Sequence, residues 1–439
     1  MGTGQPGQQS SPAAGNGSGT RRGFGPLGRL LAWCSFDWAN SSYPTVVITF
    51  VFAAYFTSTV AETPEIGTAQ WGHALALSGL AVAILAPILG AIADQGGRRK
   101  PWIGAFTILA IACGAGLWWV EAGPAFIVLA LVLVAIGNAA FEFGQVFYNA
   151  MLPDVAAPER LGRISGWAWS AGYAGGLACL ALSLVLFVQP SPPLFGLDAD
   201  AAEHVRIIGP FVAGWFAVFA LPLFLFVPDA PPHRQPLAES LRRGLHSLGR
   251  TLKDLPRHGQ TGLFLLAHMI YTDGLNTLFA FGGIYAAGTF GMTFQEILIF
   301  GIVLNIAAGL GAAGFAWVDD WIGPKRTIVI ALAGLCAAST AILVVDSRLA
   351  FTALGCVIGV FIGPAQSASR SLMAHLAPAD QRTQLFGLYA LSGKATAFVG
   401  PALVGTVTLW ADSQRAGMAT IVLFFLVGLL LLLPLRDPR

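Results

Sequence analysis

Four ionisable side chains stand where an apolar chain has least reason to keep them. Asp37, Glu142, Asp273 and Lys394 each lie inside a run of roughly 20 or more mainly apolar residues. An ionised group near mid-bilayer costs about 2.5–3.5 kcal/mol on insertion scales, so each one needs a partner or a task. Each carboxylate heads a polar stripe. Asp37, Asn40 and Ser41 fall at i, i+3 and i+4, Glu142, Gln145 and Asn149 at i, i+3 and i+7, and Asp273, Asn276 and Thr277 repeat the first spacing. Those spacings place each set on one helix face. Carboxylates and a lysine that share an interior can pair, can hold the two ends of a zwitterion, or can take up a proton. Lysine can also lose its proton when desolvated, which arginine cannot. Asp273 and Lys394 both lie roughly 15 Å deep at 1.5 Å per residue, so they can pair or share a solute. Asp37 and Glu142 lie nearer a helix end, where snorkelling is cheap. A buried structural ion pair is the plainer alternative for all four.

The elements that must position these groups are membrane helices. Hydrophobic residues make up 55% of the 439 and charged residues only 10%, against about 25% in soluble domains. Net charge is +2, which leaves no nucleic-acid footprint. The five cysteines lie in apolar stretches without a CxxC pair, so neither a disulfide framework nor a metal site is expected. Twelve segments reach bilayer length, at roughly 31–59, 71–93, 101–121, 124–150, 164–188 and 208–228, then 262–287, 295–318, 327–346, 349–371, 384–410 and 415–435. The third, sixth, ninth and twelfth carry no ionisable residue in their central portions.

Loop charge orients them. Of 24 Lys and Arg, 20 fall on the side of both termini and the linker, Arg370 counted among them, and three on the other side. The positive-inside rule makes the first side cytoplasmic. The expected organisation is a disordered tail over 1–28, a six-helix bundle over 29–228, a linker over 229–261 and a second bundle with a short tail over 262–439. The tail is Gly, Ser, Gln and Pro-rich without an apolar core, so no cleavable signal is expected. In the linker, Leu237, Leu241, Leu245, Leu248 and Leu252 recur at helical spacing among basic residues, which predicts an amphipathic helix along the membrane surface. Gly172, Gly175 and Gly176, then Gly309, Gly311 and Gly314, then Gly393, Gly400 and Gly405 are expected to bring the fifth, eighth and eleventh spans close to the opposite bundle, with a kink at Pro401.

One loop occurs twice in register. Gly90-x3-Asp94-x2-Gly97-Arg98-Arg99-Lys100 follows the second span, and Ala316-x3-Asp320-x2-Gly323-Pro324-Lys325-Arg326 follows the eighth, with the aspartates 226 residues apart. Such a repeat between apolar spans marks a duplicated bundle. Ser392-Gly393-Lys394-Ala395 is a false phosphate-loop match, because Leu388 stands where the first Gly belongs and Ala395 where Ser or Thr does. No other enzyme motif occurs, so neither enzymatic activity nor a cofactor is expected.

The repeated loop is similar to the signature of the major facilitator superfamily, with Gln95 and Ala316 as departures from it. The resemblance implies an all-α integral membrane fold of twelve helices in two six-helix pseudo-symmetric bundles. It also implies that Asp94, Arg98, Arg99, Asp320 and Lys325 latch a cytoplasmic gate. A narrower resemblance rests on Trp33-x3-Phe36-Asp37-Trp38-Ala39-Asn40-Ser41, Phe147-Tyr148-Asn149-Ala150-x-Leu152-Pro153, Tyr271-x-Asp273-Gly274 and Ser392-Gly393-Lys394-x5-Gly400-Pro401. These look like the "unknown major facilitator" branch, which includes a fungal vacuolar effluxer linked to autophagy and implicated in releasing amino acids. The expectation is therefore a monomeric secondary transporter for a small zwitterionic solute such as an amino acid, coupled to protons and working by alternating access. Its solute and proton groups would be Asp37, Asn40, Glu142, Gln145, Asn149, Asp273, Asn276 and Lys394. A short outer loop, 189–206, fits a bacterial inner membrane. Two rivals are a drug or metabolite exporter with walls of Trp33, Trp38, Trp167 and Trp169, and a receptor or lipid-handling protein without solute turnover.

Overall fold

The computed structural model describes residue 2 and residues 25–231, 236–254 and 259–437, and all regular structure among them is helical. Most of the expected tail, with Arg21 and Arg22, lies outside the described residues. So do Arg234, Arg257 and Arg439.

Among the described residues, ten helices are long and apolar enough to cross a membrane: Pro26–Val60, Ile66–Gly96, Lys100–Trp119, Pro124–Ala150, Pro158–Val188 and Glu203–Phe226, then Gln295–Ile322, Pro324–Ile342, Arg348–Leu376 and Gln414–Leu432. Two more crossings complete the twelve. Gly259–Phe290 is a continuous helix, made less apolar at its centre by His268, Thr272, Asp273 and Asn276. The eleventh span is broken into Arg382–Ser392 and Val399–Ala411. The protein is thus an all-helical membrane protein of two six-helix bundles.

Two spans widen locally. The first leaves α-helical winding after Asn40 and adopts five-residue turns, as in the bond from the Val51 amide to the Val46 carbonyl (2.9 Å). Pro44 explains part of this, since it has no N–H to continue the four-residue ladder. The fifth span ends in the same way, with the Gln189 amide donating to the Leu184 carbonyl (2.9 Å).

The bundles meet mainly along five helices. The second span packs on the first half of the eleventh, and the fifth packs on the eighth and the tenth. The close approaches differ from expectation. Gly172, Gly175 and Gly176 face the first span of their own bundle, where Cβ atoms would strike Ser41, Trp38 and Thr45. Gly311 faces Val360 of its own bundle, whereas Gly309 does meet Tyr173 across the interface. The closest interbundle approaches to backbone carbonyls are Gly90, whose Cβ would lie 2.5 Å from the Thr383 carbonyl oxygen, Gly166 against the Ala312 carbonyl (2.6 Å) and Gly387 against the Ala86 carbonyl (2.5 Å). All three lie toward the end that carries most of the basic loops, called the basic end below.

The linker helix, Leu237–Asp254, is amphipathic as expected and also docks on protein. Its Ser240, Gly244, Ser247 and Thr251 face docks on protein. A Cβ at Gly244 would sit 3.0 Å from the Ala91 carbonyl group, Ser247 donates to Gln384 Oε1 (3.1 Å), and Thr251 donates to Gln381 Oε1 (3.2 Å). Leu248 is buried at the edge of this contact, while Leu241, Leu245 and Leu252 stay exposed. The helix thus turns a small-residue face to protein and leaves a leucine face and a basic face exposed. A leucine period read alone cannot show the protein contact.

Candidate functional site

The break in the eleventh span creates the site. The chain leaves the helix after Ser392 and resumes it at Val399, so the kink lies before Pro401 rather than at it. Unwound backbone inside a membrane is tolerated where it lines a cavity or is held by protein groups. Here Asp273 Oδ2 accepts the Gly400 amide (3.2 Å) and so caps the second half-helix, and Asn276 Nδ2 donates to the Gly393 carbonyl (3.4 Å). Gly400 has no room for a Cβ, which would meet Thr277 Oγ1 at 1.9 Å. Asp273 is buried, and its Oδ1 has no hydrogen-bond partner among the described residues.

Lys394 projects from this break. Its Nζ donates to Glu142 Oε1 (2.8 Å), tying the fourth span to the eleventh across the two bundles. Its stem runs beside Gly79 of the second span. Lys394 therefore pairs with Glu142 and not with Asp273, because Asp273 is turned to the half-helix amide. The side chains of this pair are 31% and 22% exposed, so the pair is not sealed by protein. Behind Lys394, His268 Nδ1 shares a hydrogen bond with Ser392 Oγ (2.7 Å) and the ring stacks on Tyr389 (4.1 Å).

A second interbundle pair is sealed. Arg370, placed by its sequence position among the loop cations, is instead 2% exposed within the tenth span. Its Nη1 donates to Asp37 Oδ2 (2.9 Å) and Asn149 Oδ1 (3.1 Å), its Nε to Ser165 Oγ (2.9 Å), and its Nη2 to the Ser165 carbonyl (2.6 Å). The rings of Trp33, Trp169 and Tyr148 surround the guanidinium at 5.3–5.9 Å. A planar fork suits this task, since one cation answers three helices at once. Trp33 is fully buried against Tyr148 (4.4 Å), so it packs around Arg370 and forms no cavity wall.

The duplicated loop closes the basic end twice. Asp94 accepts the Thr383 amide (3.0 Å) and the Gln384 amide (2.8 Å), capping the eleventh span. Asp320 accepts the Arg163 amide (3.0 Å) and pairs with its guanidinium (3.1 Å), capping the fifth. Arg99 donates to Thr383 Oγ1 (2.9 Å) and Asp154 (2.6 Å), and Arg382 holds the other oxygen of Asp154 (2.8 Å). Lys325 serves elsewhere. It donates to the Leu433 carbonyl (2.9 Å), as Lys100 does to that of Phe224 (3.0 Å), so each lysine ties its loop to the last span of its own bundle. Arg98 is exposed. The aspartates join the bundles while Lys100 and Lys325 each hold their own bundle together.

A protein-family model described as "Vacuole effluxer Atg22 like" matches residues 72–439. The chain belongs to that family. The chain is similar to the "Uncharacterized MFS-type transporter YxiO" of Bacillus subtilis, 26% identical over 91% of this chain and 93% of that protein. Autophagy-related protein 22-1 of Penicillium rubens is 24% identical over 62% of this chain, but the match spans 48% of the fungal protein. Among solved structures, the major facilitator superfamily transporter FucP in the outward conformation aligns with a TM-score of 0.72 at 15% identity, covering 92% of this chain and 97% of that one. The proton:xylose symporter XylE aligns at 0.69 and 14%, covering 92% and 94%. The fold is that of the superfamily, and the protein is a membrane transporter and not an enzyme.

For this Atg22-like transporter, the structure brings Glu142 together with Lys394, Asp37 with Asn149, and Asp273 with Asn276 around the unwound segment. Asn40 is fully buried, and Gln145 Oε1 is buried without a partner among the described residues. Arg370, Ser165, Asp154 and His268 were not singled out from sequence. Arg370 had one signal, its place between Ser367, Ser369 and Ser371 on an otherwise apolar helix. Asp94→Ala removes the acceptor of two half-buried amides, which costs about 1–2 kcal/mol of cap energy. Spin labels on either side of the gate should then show the basic end populating longer distances. Unchanged distances would mean that Asp94 caps the helix without holding the gate.

Proposed function

We propose that this transporter carries a small zwitterion, an amino acid in the simplest case, by alternating access with proton coupling. The Glu142–Lys394 pair carries this reading. It joins opposite bundles, is not sealed by protein and sits at a helix break, the kind of place where transporters of this architecture bind solute. A solute carboxylate would replace Glu142 on Lys394, and the solute ammonium would replace Lys394 on Glu142. The exchange conserves every charge contact, so an ion pair that is costly to break is replaced rather than lost. Asn276 and Gln145 offer neutral hydrogen bonds nearby. The amino-acid class is also the one that the family resemblance implies.

Asp273 is the residue we assign to the coupling proton. With one oxygen capping Gly400 and the other unpaired, its neutral form would lose little and its ionised form would hold the half-helix that positions Lys394. On this reading the basic end is cytoplasmic, so the closed state seen here faces outward. The aromatic-wall exporter has less support, because Trp33 encloses Arg370, Trp38 stacks on Trp215 (5.8 Å) and Trp167 packs on Trp317 (5.6 Å).

Counterflow in proteoliposomes loaded with a mixed amino-acid pool, read by mass spectrometry, tests the proposal. The expected result is exchange of particular amino acids by the wild type and its disappearance in Lys394→Ala. Active protein that exchanges none of them overturns the amino-acid assignment.

A further inference from the structure

A cleft of about 1070 Å3 opens at the basic end, outside the transport site. Most of its wall comes from three parts of the chain: the loop after the second span, the loop after the tenth span and the linker helix. Arg242, Arg243, His246 and Arg250 line it from the helix, with Arg99 at its floor. The acids present are already engaged or few. Asp94 is held by two amides, Glu239 takes Arg243 (2.6 Å) and Arg242 (3.2 Å) on the helix itself, and Asp380 lies on the opposite loop. Arg250 and His246 have no acidic partner among the described residues.

We propose that this cleft binds a phosphate-bearing anion through Arg243, His246 and Arg250, and that its occupancy favours the closed basic end. Topology alone would keep cations on this side, but it would not aim them into one cavity. The docked helix does that. Its contacts with Ala91, Gln384 and Gln381 fix its rotation, so residues 243, 246 and 250 form a row on the cleft face. That row runs over about 10 Å, longer than a single phosphate. A polyphosphate or a phosphodiester headgroup meets it better than a lone carboxylate. The exposed Leu241, Leu245 and Leu252 face a different direction and set the helix at the lipid boundary, so the anion can come from the adjacent leaflet or from solution.

The effect on the gate follows from where the walls come from. One wall belongs to each bundle, and the Asp94 cap lies at the junction of the two. The row sits on the linker helix, which docks on Ala91 of one bundle and on Gln384 and Gln381 of the other, so opening the basic end separates its supports and an anion held between the row and Arg99 binds the closed state better. By linkage it shifts the population toward that state by the same factor.

The experiment uses the full chain in nanodiscs of zwitterionic lipid, with inorganic tripolyphosphate as the probe in titration calorimetry. Saturable binding is expected, weakened at least about 10-fold in Arg243→Gln/Arg250→Gln and by added salt. Arg163→Gln, which loosens the twin gate without touching the cleft, should also weaken it. Nanodiscs containing phosphatidylglycerol distinguish the sources: competition with tripolyphosphate identifies the headgroup, and its absence identifies a soluble anion. No saturable binding, or binding that the double variant leaves unchanged, overturns the site. Binding indifferent to Arg163→Gln overturns the link to the gate.

Discussion

Arg370→Met lowers stability by about 3–5 kcal/mol, the range found when one partner of a buried ion pair is removed. The loss follows from what stays behind. Asp37 is only 5% exposed, and without Arg370 its carboxylate keeps no cation within reach. Asn149 and Ser165 lose their donors at the same time. Arg370→Lys should fare little better, because one ammonium cannot reach three helices that a planar fork spans. Asp37→Asn/Arg370→Met should regain most of the stability, since a pair of neutral groups leaves no stranded charge. Thermal unfolding in detergent measures all four proteins. If the single and double variants unfold alike, the Asp37 charge is not what Arg370 supports.

The second large effect concerns transport. Lys394→Ala should lower kcat/KM by about 100-fold, corresponding to roughly 2.7 kcal/mol for one charge-assisted contact to a solute carboxylate. A structural pair would give a similar loss by stranding Glu142, so the single variant does not separate the two roles. The neutral pair Glu142→Gln/Lys394→Met does. Removing both charges relieves any stranded partner, so a purely structural tie predicts recovery of flux toward the wild-type rate. A solute-binding pair predicts flux as low as in Lys394→Ala, with folding intact by unfolding temperature. Recovery of flux in the double variant would remove Lys394 and Glu142 from the solute site.

The contrast between these two pairs shows how far one-dimensional pattern reaches. Both are Asp/Glu to Lys/Arg contacts across the bundles, and three of the four residues stand out in sequence as charges inside apolar runs. Arg370 does not, because it lies a few residues from a basic loop, where the positive-inside rule accounts for it without further thought. Its buried state depends on Asp37 and Ser165, which are 333 and 205 residues away. Charge partners were equally out of reach. Asp273 and Lys394 share a depth, but depth is one coordinate of three. The half-helix amide of Gly400 claimed Asp273, and Lys394 turned to Glu142.

The gate loop divides in the same way. The repeat in register was plain, because duplication preserves residue types at fixed spacing. That Asp94 and Asp320 cap helices of the opposite bundle while Lys100 and Lys325 bind within their own needed the packed structure, since all four stand in one short motif. Apolar length, loop charge and the repeated loop determined a membrane protein of two bundles, because burial in lipid and orientation depend on residue type along the chain. Tertiary structure alone decided which charges meet, where the eleventh span unwinds, which end is shut and what the linker helix touches. Those outcomes depend on contacts between segments hundreds of residues apart, whose free energies belong to pairs and not to positions.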